Sequence, residues 1–256
     1  MKMNFYNVCL MKKILAIVAL LVMFFSTPVV AQQFVTDDYF VMPYKSSNLV
    51  IVAGDNFATL LPSMGLFPKW EIFTGVNLFY EDDTRQGGNH FSGLFFAKNN
   101  VWENARQTGG VSWTFGTGVN PDYYQEAVPV DSFRDVFGLI NWTIPMAKDK
   151  VQLDINPGFS TKTGDAIDGR AWDFTYAARI AWIKGIGDWT PIAEIFGAEG
   201  DVGADPQYKI GFRWEPNDNF RFAVTYGGSF DGSDSSGFQV GFITVTVPCE
   251  KGCSPF

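Results

Sequence analysis

The chain has 256 residues, a formal net charge of −8, 46% hydrophobic residues and 16% aromatic ones, with 25 Phe and 8 Trp among them. An acidic balance with no cluster of Lys and Arg argues against nucleic acid as a partner, because phosphates are met by grouped cations. So many rings need a broad apolar surface, and an alternating sheet offers one such face.

At the amino end, Lys12 and Lys13 precede an apolar stretch over 14–25, and Val29, Val30 and Ala31 place small residues before Gln32. This is the pattern of a secretory signal peptide over 1–31. Its apolar core falls short of the roughly 20 residues that a spanning helix needs. Met11 offers a second start, and Cys9 lies away from the cleavage site, which argues against a lipid-anchored amino terminus. The expectation is an exported protein whose residues 32–256 form one domain with a short carboxyl-terminal tail, and no later stretch has the length of a transmembrane helix.

From residue 39 onward about a dozen extended segments follow, with no helical period over three turns. The clearest are 70–80 (WEIFTGVNLFY), 111–119, 136–144, 151–160, 172–183 (WDFTYAARIAWI), 189–196, 208–214, 220–226 and 238–247. Weaker ones are 39–44, 49–60 with a break near Gly54, and 91–98. The connections alternate in length. Those over 147–150, 184–188 and 215–219 are short, while 81–89, 120–135, 161–171, 199–207 and 228–236 are longer and rich in Gly, Asp and Ser. Tight turns at one end and long loops at the other mark an outer-membrane barrel, with the long loops outside. An even strand count returns the amino terminus to the periplasm. Twelve fits best, or ten if the two earliest segments do not span.

The strands carry two faces. On 172–183 one face shows Trp172, Phe174, Tyr176, Ala178, Ile180 and Trp182, and the other Asp173, Thr175, Ala177, Arg179 and Ala181. Ile210, Phe212 and Trp214 stand against Lys209, Gly211 and Arg213, and Val151, Leu153, Ile155 and Phe159 against Gln152, Asp154 and Asn156. Trp and Tyr recur near strand ends, where an aromatic girdle meets the lipid–water boundary. A secreted soluble sandwich or barrel alternates as cleanly, with its apolar face inward. Strand length, loop asymmetry and a polar face with charges of both signs favour lipid outside, since an Arg facing lipid at mid-depth costs roughly 2–4 kcal/mol. The expected fold is therefore all-β, a single antiparallel transmembrane β-barrel.

WTPIAEIFG (189–197), YKIGFRWEPNDNFRFAVTYGGSF (208–230) and the closing GFQVGFITVTV resemble the outer-membrane barrels grouped with the meta-pathway phenol-degradation transporters. That family shows an aromatic–Pro–x–x–Glu strand after a short turn, then a Gly-x-aromatic strand, a brief polar turn and a strand of alternating aromatics. The resemblance runs loosely over residues 65–247 and is strongest after Trp172. It implies a channel for small, aromatic or otherwise hydrophobic molecules.

The lumen-lining candidates are Glu71, Asp154, Asp173, Arg179, Glu194, Lys209, Arg213 and Arg221, with basic positions gathered on the later strands. Such charges either line a pore with a transverse field or pair into a network that plugs a closed one. The corresponding functions are a porin-like transporter of small solutes and a closed structural or partner-binding barrel. His90, beside Ser92 and near Asp82 and Asp83, is the single histidine, and no nucleophile elbow, Walker loop or zinc-protease helix occurs. The expectation is no enzyme, no cofactor and no metal site. The acidic outer loops (Glu81, Asp82, Asp83, Asp122, Asp165, Asp168, Asp201, Asp205, Asp231, Asp234) read as solvated turns that lack calcium-loop spacing. Cys249 and Cys253 can close a small disulfide in an oxidising periplasm. Expected partners are outer-membrane lipid and lipopolysaccharide, small-molecule solutes, and the barrel-assembly machinery reading either Phe256 or the strand 238–247, with a monomer as the default.

Overall fold

The computed structural model describes residues 36–55, 57–79, 90–119, 135–163, 170–201, 203–230 and 237–246. Twelve strands form one closed antiparallel barrel in which each strand pairs with its neighbours in sequence. They are β1 (Ser47–Gly54), β2 (Phe57–Phe67), β3 (Trp70–Phe79), β4 (His90–Glu103), β5 (Gly110–Val119) and β6 (Asp135–Met146). The second half comprises β7 (Val151–Thr163), β8 (Arg170–Trp182), β9 (Trp189–Gly200), β10 (Ala204–Asn217), β11 (Phe220–Ser229) and β12 (Gly237–Thr246). Closure is made by β1 against β12, in register from Ser47↔Thr246 to Gly54↔Gln239. A closed sheet leaves no unpaired edge, the condition for strands to stand in hydrocarbon.

The distribution of side chains is inverted relative to a soluble domain. The outer face is apolar: Trp172, Phe174, Ile180 and Trp182 on β8, Ile210 and Phe212 on β10, and Phe238 on β12 are all exposed. The buried set is instead dominated by polar and charged groups, among them Glu71, Lys98, Asp154, Asp173, Arg179, Glu194 and Lys209. A soluble barrel would leave this large apolar exterior in water. Trp70 and Trp113 meet edge to face at 5.2 Å, and Trp189 and Trp214 lie 6.2 Å apart, all at the end with the tight turns. Tyr208 and Phe230, 5.2 Å apart, mark the other end. These are the two girdles of a membrane barrel.

Strand membership differs from the sequence expectation at the start of the chain. The expected single segment 49–60 is two strands, β1 and β2, turning at Gly54 and Asp55. The expected strand 39–44 is not a strand at all, for those residues pair with no neighbour in the sheet. The count stays at twelve because one loss and one split cancel. The connection over 199–207 is also shorter than expected, because β9 runs to Gly200 and β10 begins at Ala204. Strand β10 continues to Asn217, which places Glu215 in the sheet rather than in the turn. The signal peptide, Cys9, Cys249, Cys253 and Phe256 lie outside the described residues. So do the acidic loop residues apart from Asp201 and Asp205.

The outward stripe makes a direct prediction. Ile180→Arg puts a cation at mid-strand on the apolar exterior and should destabilise the barrel by roughly 2–4 kcal/mol, whereas Ala177→Ser, on the buried inner face, should change little. Urea unfolding from lipid vesicles measures both, and a tolerated Ile180→Arg would contradict a lipid-facing exterior.

Candidate functional site

Alternation carries one residue in two to the inner wall, and the register stacks the charged ones in rows. Asp154 and Arg179 are direct partners across β7 and β8, and Arg179 and Glu194 across β8 and β9. Glu194 and Lys209 face each other across β9 and β10. Asp154 is fully buried and receives Arg179 Nε at 3.0 Å and Nη2 at 2.8 Å on Oδ2. Its Oδ1 accepts from the Thr143 hydroxyl at 2.6 Å and from the Gln152 amide at 2.9 Å. Near the tight-turn end, Glu215 Oε1 lies 3.0 Å from Arg213 Nε and 3.3 Å from Arg221 Nε, and Oε2 accepts from Thr190 Oγ1 at 2.7 Å. Glu71 accepts from Ser63 Oγ at 2.6 Å, and Asp173 Oδ1 accepts from the Gly203 amide at 3.0 Å.

Across this charged wall lies a segment that belongs to no strand. Residues 36–46 run along the inside of the barrel before the chain turns into β1, with Thr36, Tyr39, Val41, Met42 and Ser46 buried. The Thr36 amide donates to Glu194 Oε1, and its carbonyl accepts from Arg179 Nη1 at 2.9 Å. The Asp37 amide donates to Asn156 Oδ1 at 2.6 Å, and Asn156 Nδ2 returns a bond to the Asp37 carbonyl at 3.1 Å. Lys98 Nζ lies 2.7 Å from Asp37 Oδ2 and 3.6 Å from Asp38 Oδ1. The Tyr39 amide donates to Thr143 Oγ1 at 3.0 Å, and the Met42 amide to Glu71 Oε2 at 3.0 Å. The Tyr39 hydroxyl donates to the Gln107 carbonyl at 2.7 Å in the β4–β5 turn. Burial, helped by the nearby Glu103 and Asp38 carboxylates, pushes this phenol up to about 12, so it remains a donor at neutral pH.

Backbone amides that would otherwise lie buried without partners are thus met by side chains of β3, β6, β7 and β9. Each such bond contributes about 1 kcal/mol net, rising toward about 3 where a carboxylate accepts. The wall beneath is shaped for the segment. A Cβ on Gly65 would stand 2.0 Å from the Pro43 carbonyl oxygen, too close for any side chain. Gly65→Val should therefore push residues 36–46 off the wall while leaving β2 paired, seen as new proteolytic cutting near residue 40 in the folded barrel.

The opposite sector of the inner wall carries a cluster of rings among uncharged polar groups such as Thr59, Ser63, Ser112, Thr114 and Asn141. Phe73 and Phe96 stack with centroids 4.2 Å apart, and Phe137 meets Phe96 at 5.8 Å. Val52 and Phe57 are buried together, with Val50 against them. Among the described residues, the inner face of β1–β6 thus combines these rings with uncharged polar groups and the charged Glu71 and Lys98, and most of the inward charges lie on β7–β11.

All eight charges proposed from sequence lie on the inner face, where Arg179, Asp154, Glu194 and Glu71 converge on residues 36–46 or on its partners. Arg213 and Arg221 gather on Glu215 instead, and Asp173 sits apart toward the β9–β10 turn. The sequence reading missed Lys98, Asp37, Asp38 and Glu215. Lys98 shares parity with Leu94 and Phe96, which could have found it. It also breaks the expected gathering of cations on the later strands. His90 pairs with Phe79 through the backbone at the end of β4 away from the tight turns.

No protein-family model matches the chain, and no curated protein matches it. Solved structures do. A KdgM porin in complex with disordered oligogalacturonate is similar with a TM-score of 0.52 and 12% identity, covering 78% of this chain and 98% of that one. LpxR from Salmonella typhimurium gives a TM-score of 0.43 at 10% identity, covering 78% and 99%. Outer membrane phospholipase A from Escherichia coli gives 0.40 at 10%, covering 79% and 92%. With the first of these, and with the apolar exterior and polar interior described above, the chain has the fold of an outer-membrane β-barrel.

Proposed function

We propose that the protein is a porin-like barrel of the bacterial outer membrane that passes small solutes, and that residues 36–46 set its resting conductance. The observation that carries this is the way that segment is held. Residues 36–42 meet the inner wall through bonds in which one partner is a side chain, and only Lys45 and Ser46 bond to backbone of the sheet, at Gly65, so 36–42 can leave without unzipping a strand. A barrel built only as a scaffold gains nothing from wall charges reserved for a detachable segment, since a buried ion pair is seldom better for stability than apolar packing. In this arrangement the tight turns face the periplasm and the long connections face outward.

The solute class rests on the ring cluster of the inner wall. Phe73, Phe96 and Phe137 offer rings to an apolar or aromatic body, in keeping with the resemblance to the barrels grouped with phenol-degradation transporters. No catalytic role is assigned to His90. Single-channel recording from the purified protein in planar bilayers tests the proposal. We expect small, infrequent steps from the native barrel and frequent ones from Lys98→Met, which loses the ion pair to Asp37. Silence from both, across a range of salts, favours the second reading, a closed barrel whose segment is a permanent filling.

A further inference from the structure

On the inner wall of β9–β12, Lys209 is 1% exposed, yet among the described residues its Nζ has no hydrogen-bond partner and no carboxylate oxygen in ion-pair reach. A buried ammonium left so is among the costlier arrangements a fold can hold. Its neighbours share the condition. Thr225 Oγ1 and both polar atoms of Gln239 are buried without partners among the described residues, as is Glu194 Oε2. The register makes these one patch. Glu194 is the partner of Lys209 across β9 and β10, Thr225 pairs with Gly211 two residues along the same face, and Gln239 pairs with Thr225 across β11 and β12.

The patch is shaped around the lysine. A Cβ on Gly227 would stand 2.7 Å from Lys209 Cγ, so glycine there lets the stem lie against β11. The ammonium lies 5.3 Å from the centre of the Phe196 ring. Of the charges nearby, Glu194 commits Oε1 alone, to the Thr36 amide, and Glu215 is taken by Arg213, Arg221 and Thr190. The carboxylate opposite Lys209 is Glu194, which among the described residues makes no ion-pair contact with it.

We propose that Lys209, Thr225 and Gln239 form a luminal subsite for a small organic carboxylate with an apolar body. A carboxylate offers acceptors to the ammonium, the hydroxyl and the amide together, a charge-assisted set stronger than neutral bonds. Phe196 gives the apolar part of such a solute a ring to lie on. Glu194, the cross-strand partner of Lys209 with an unpartnered Oε2, disfavours dianions by repulsion more than a monoanion. The subsite deepens the conduit proposed above and rests on it for the solute's route, whereas binding itself can be measured without conduction.

The experiment is calorimetric titration of the purified, detergent-solubilised barrel with benzoate, and with benzyl alcohol as the uncharged counterpart. Saturable benzoate binding is expected. It should weaken about tenfold or more in Lys209→Met and be largely kept in Lys209→Arg, with benzyl alcohol unaffected in either. Absence of saturable benzoate binding, or equal affinity in the native and Lys209→Met barrels, would overturn the subsite. Should Lys209→Met fail to fold, as judged by loss of the heat-dependent gel shift of barrels, the double variant Thr225→Val/Gln239→Leu is expected to show the same weakening, and unchanged affinity there overturns the subsite equally. A protein that binds benzoate but conducts nothing sinks the conduit and keeps the subsite; one that conducts but ignores benzoate does the reverse.

Discussion

Deleting residues 36–42 should convert a barrel with small, rare openings into one with severalfold larger and steadier conductance. The deletion leaves the turn into β1 intact, because Ser46 N to the Pro43 carbonyl (3.0 Å), Lys45 N to the Gly65 carbonyl (2.8 Å) and Gly65 N to the Ser46 carbonyl (2.9 Å) all lie beyond the cut. It removes only contacts between the segment and the wall. Lys98, Glu194, Asn156 and Glu71 lose the partners that now cover them, but the freed volume admits water to those groups. Folding should therefore survive, which the heat-dependent shift in gel mobility checks, while planar-bilayer recording reads the conductance. If the shortened barrel folds and its conductance equals that of the native protein, residues 36–42 do not limit passage.

Arg179→Met should destabilise the barrel by about 3–5 kcal/mol, the usual cost of stranding one member of a buried ion pair. Asp154 would keep only Thr143 and Gln152 as partners, at full burial. The same substitution removes the donor to the Thr36 carbonyl, so conductance should rise alongside the loss of stability. Replacing both partners, as Asp154→Leu/Arg179→Met, should recover most of the lost stability, because no uncompensated charge remains. Urea unfolding from vesicles measures all three proteins. A cost below about 1 kcal/mol for Arg179→Met would match an exposed, solvent-screened pair and would mean that water already fills this part of the lumen.

The middle of the sheet could be read from residue alternation. On β8, Trp172, Phe174, Ile180 and Trp182 face out and Asp173, Ala177, Arg179 and Ala181 face in, as the period of two requires. Charges of both signs on the second face argued for a polar interior, since lipid tolerates neither Arg179 nor Glu194. The early strands were harder. β1 and β2 join at Gly54 and Asp55 with no polar cluster long enough to mark a boundary, and Val52 and Phe57 place apolar side chains inward on both sides of the turn. Alternation of polarity fails where the inner wall itself is apolar.

Residues 39–44 show the deeper limit. Tyr39, Val41 and Met42 have the composition of a strand, but the Tyr39 and Met42 amides bond to side chains of β6 and β3, and the Tyr39 hydroxyl to the Gln107 carbonyl of the β4–β5 turn, rather than to a neighbouring strand's backbone. Whether an extended segment pairs in the sheet or lies on it depends on residues more than a hundred positions away, such as Glu194 at 158 positions from Thr36 and Asn156 at 119 from Asp37. Local pattern carries the period of a strand and the sign of its face, because both follow from backbone geometry within a few residues. Only the closed barrel and the course of residues 36–46 inside it decide which charges meet across the lumen, and so made Lys98 the partner of Asp37 and left Lys209, among the described residues, without an ion-pair contact.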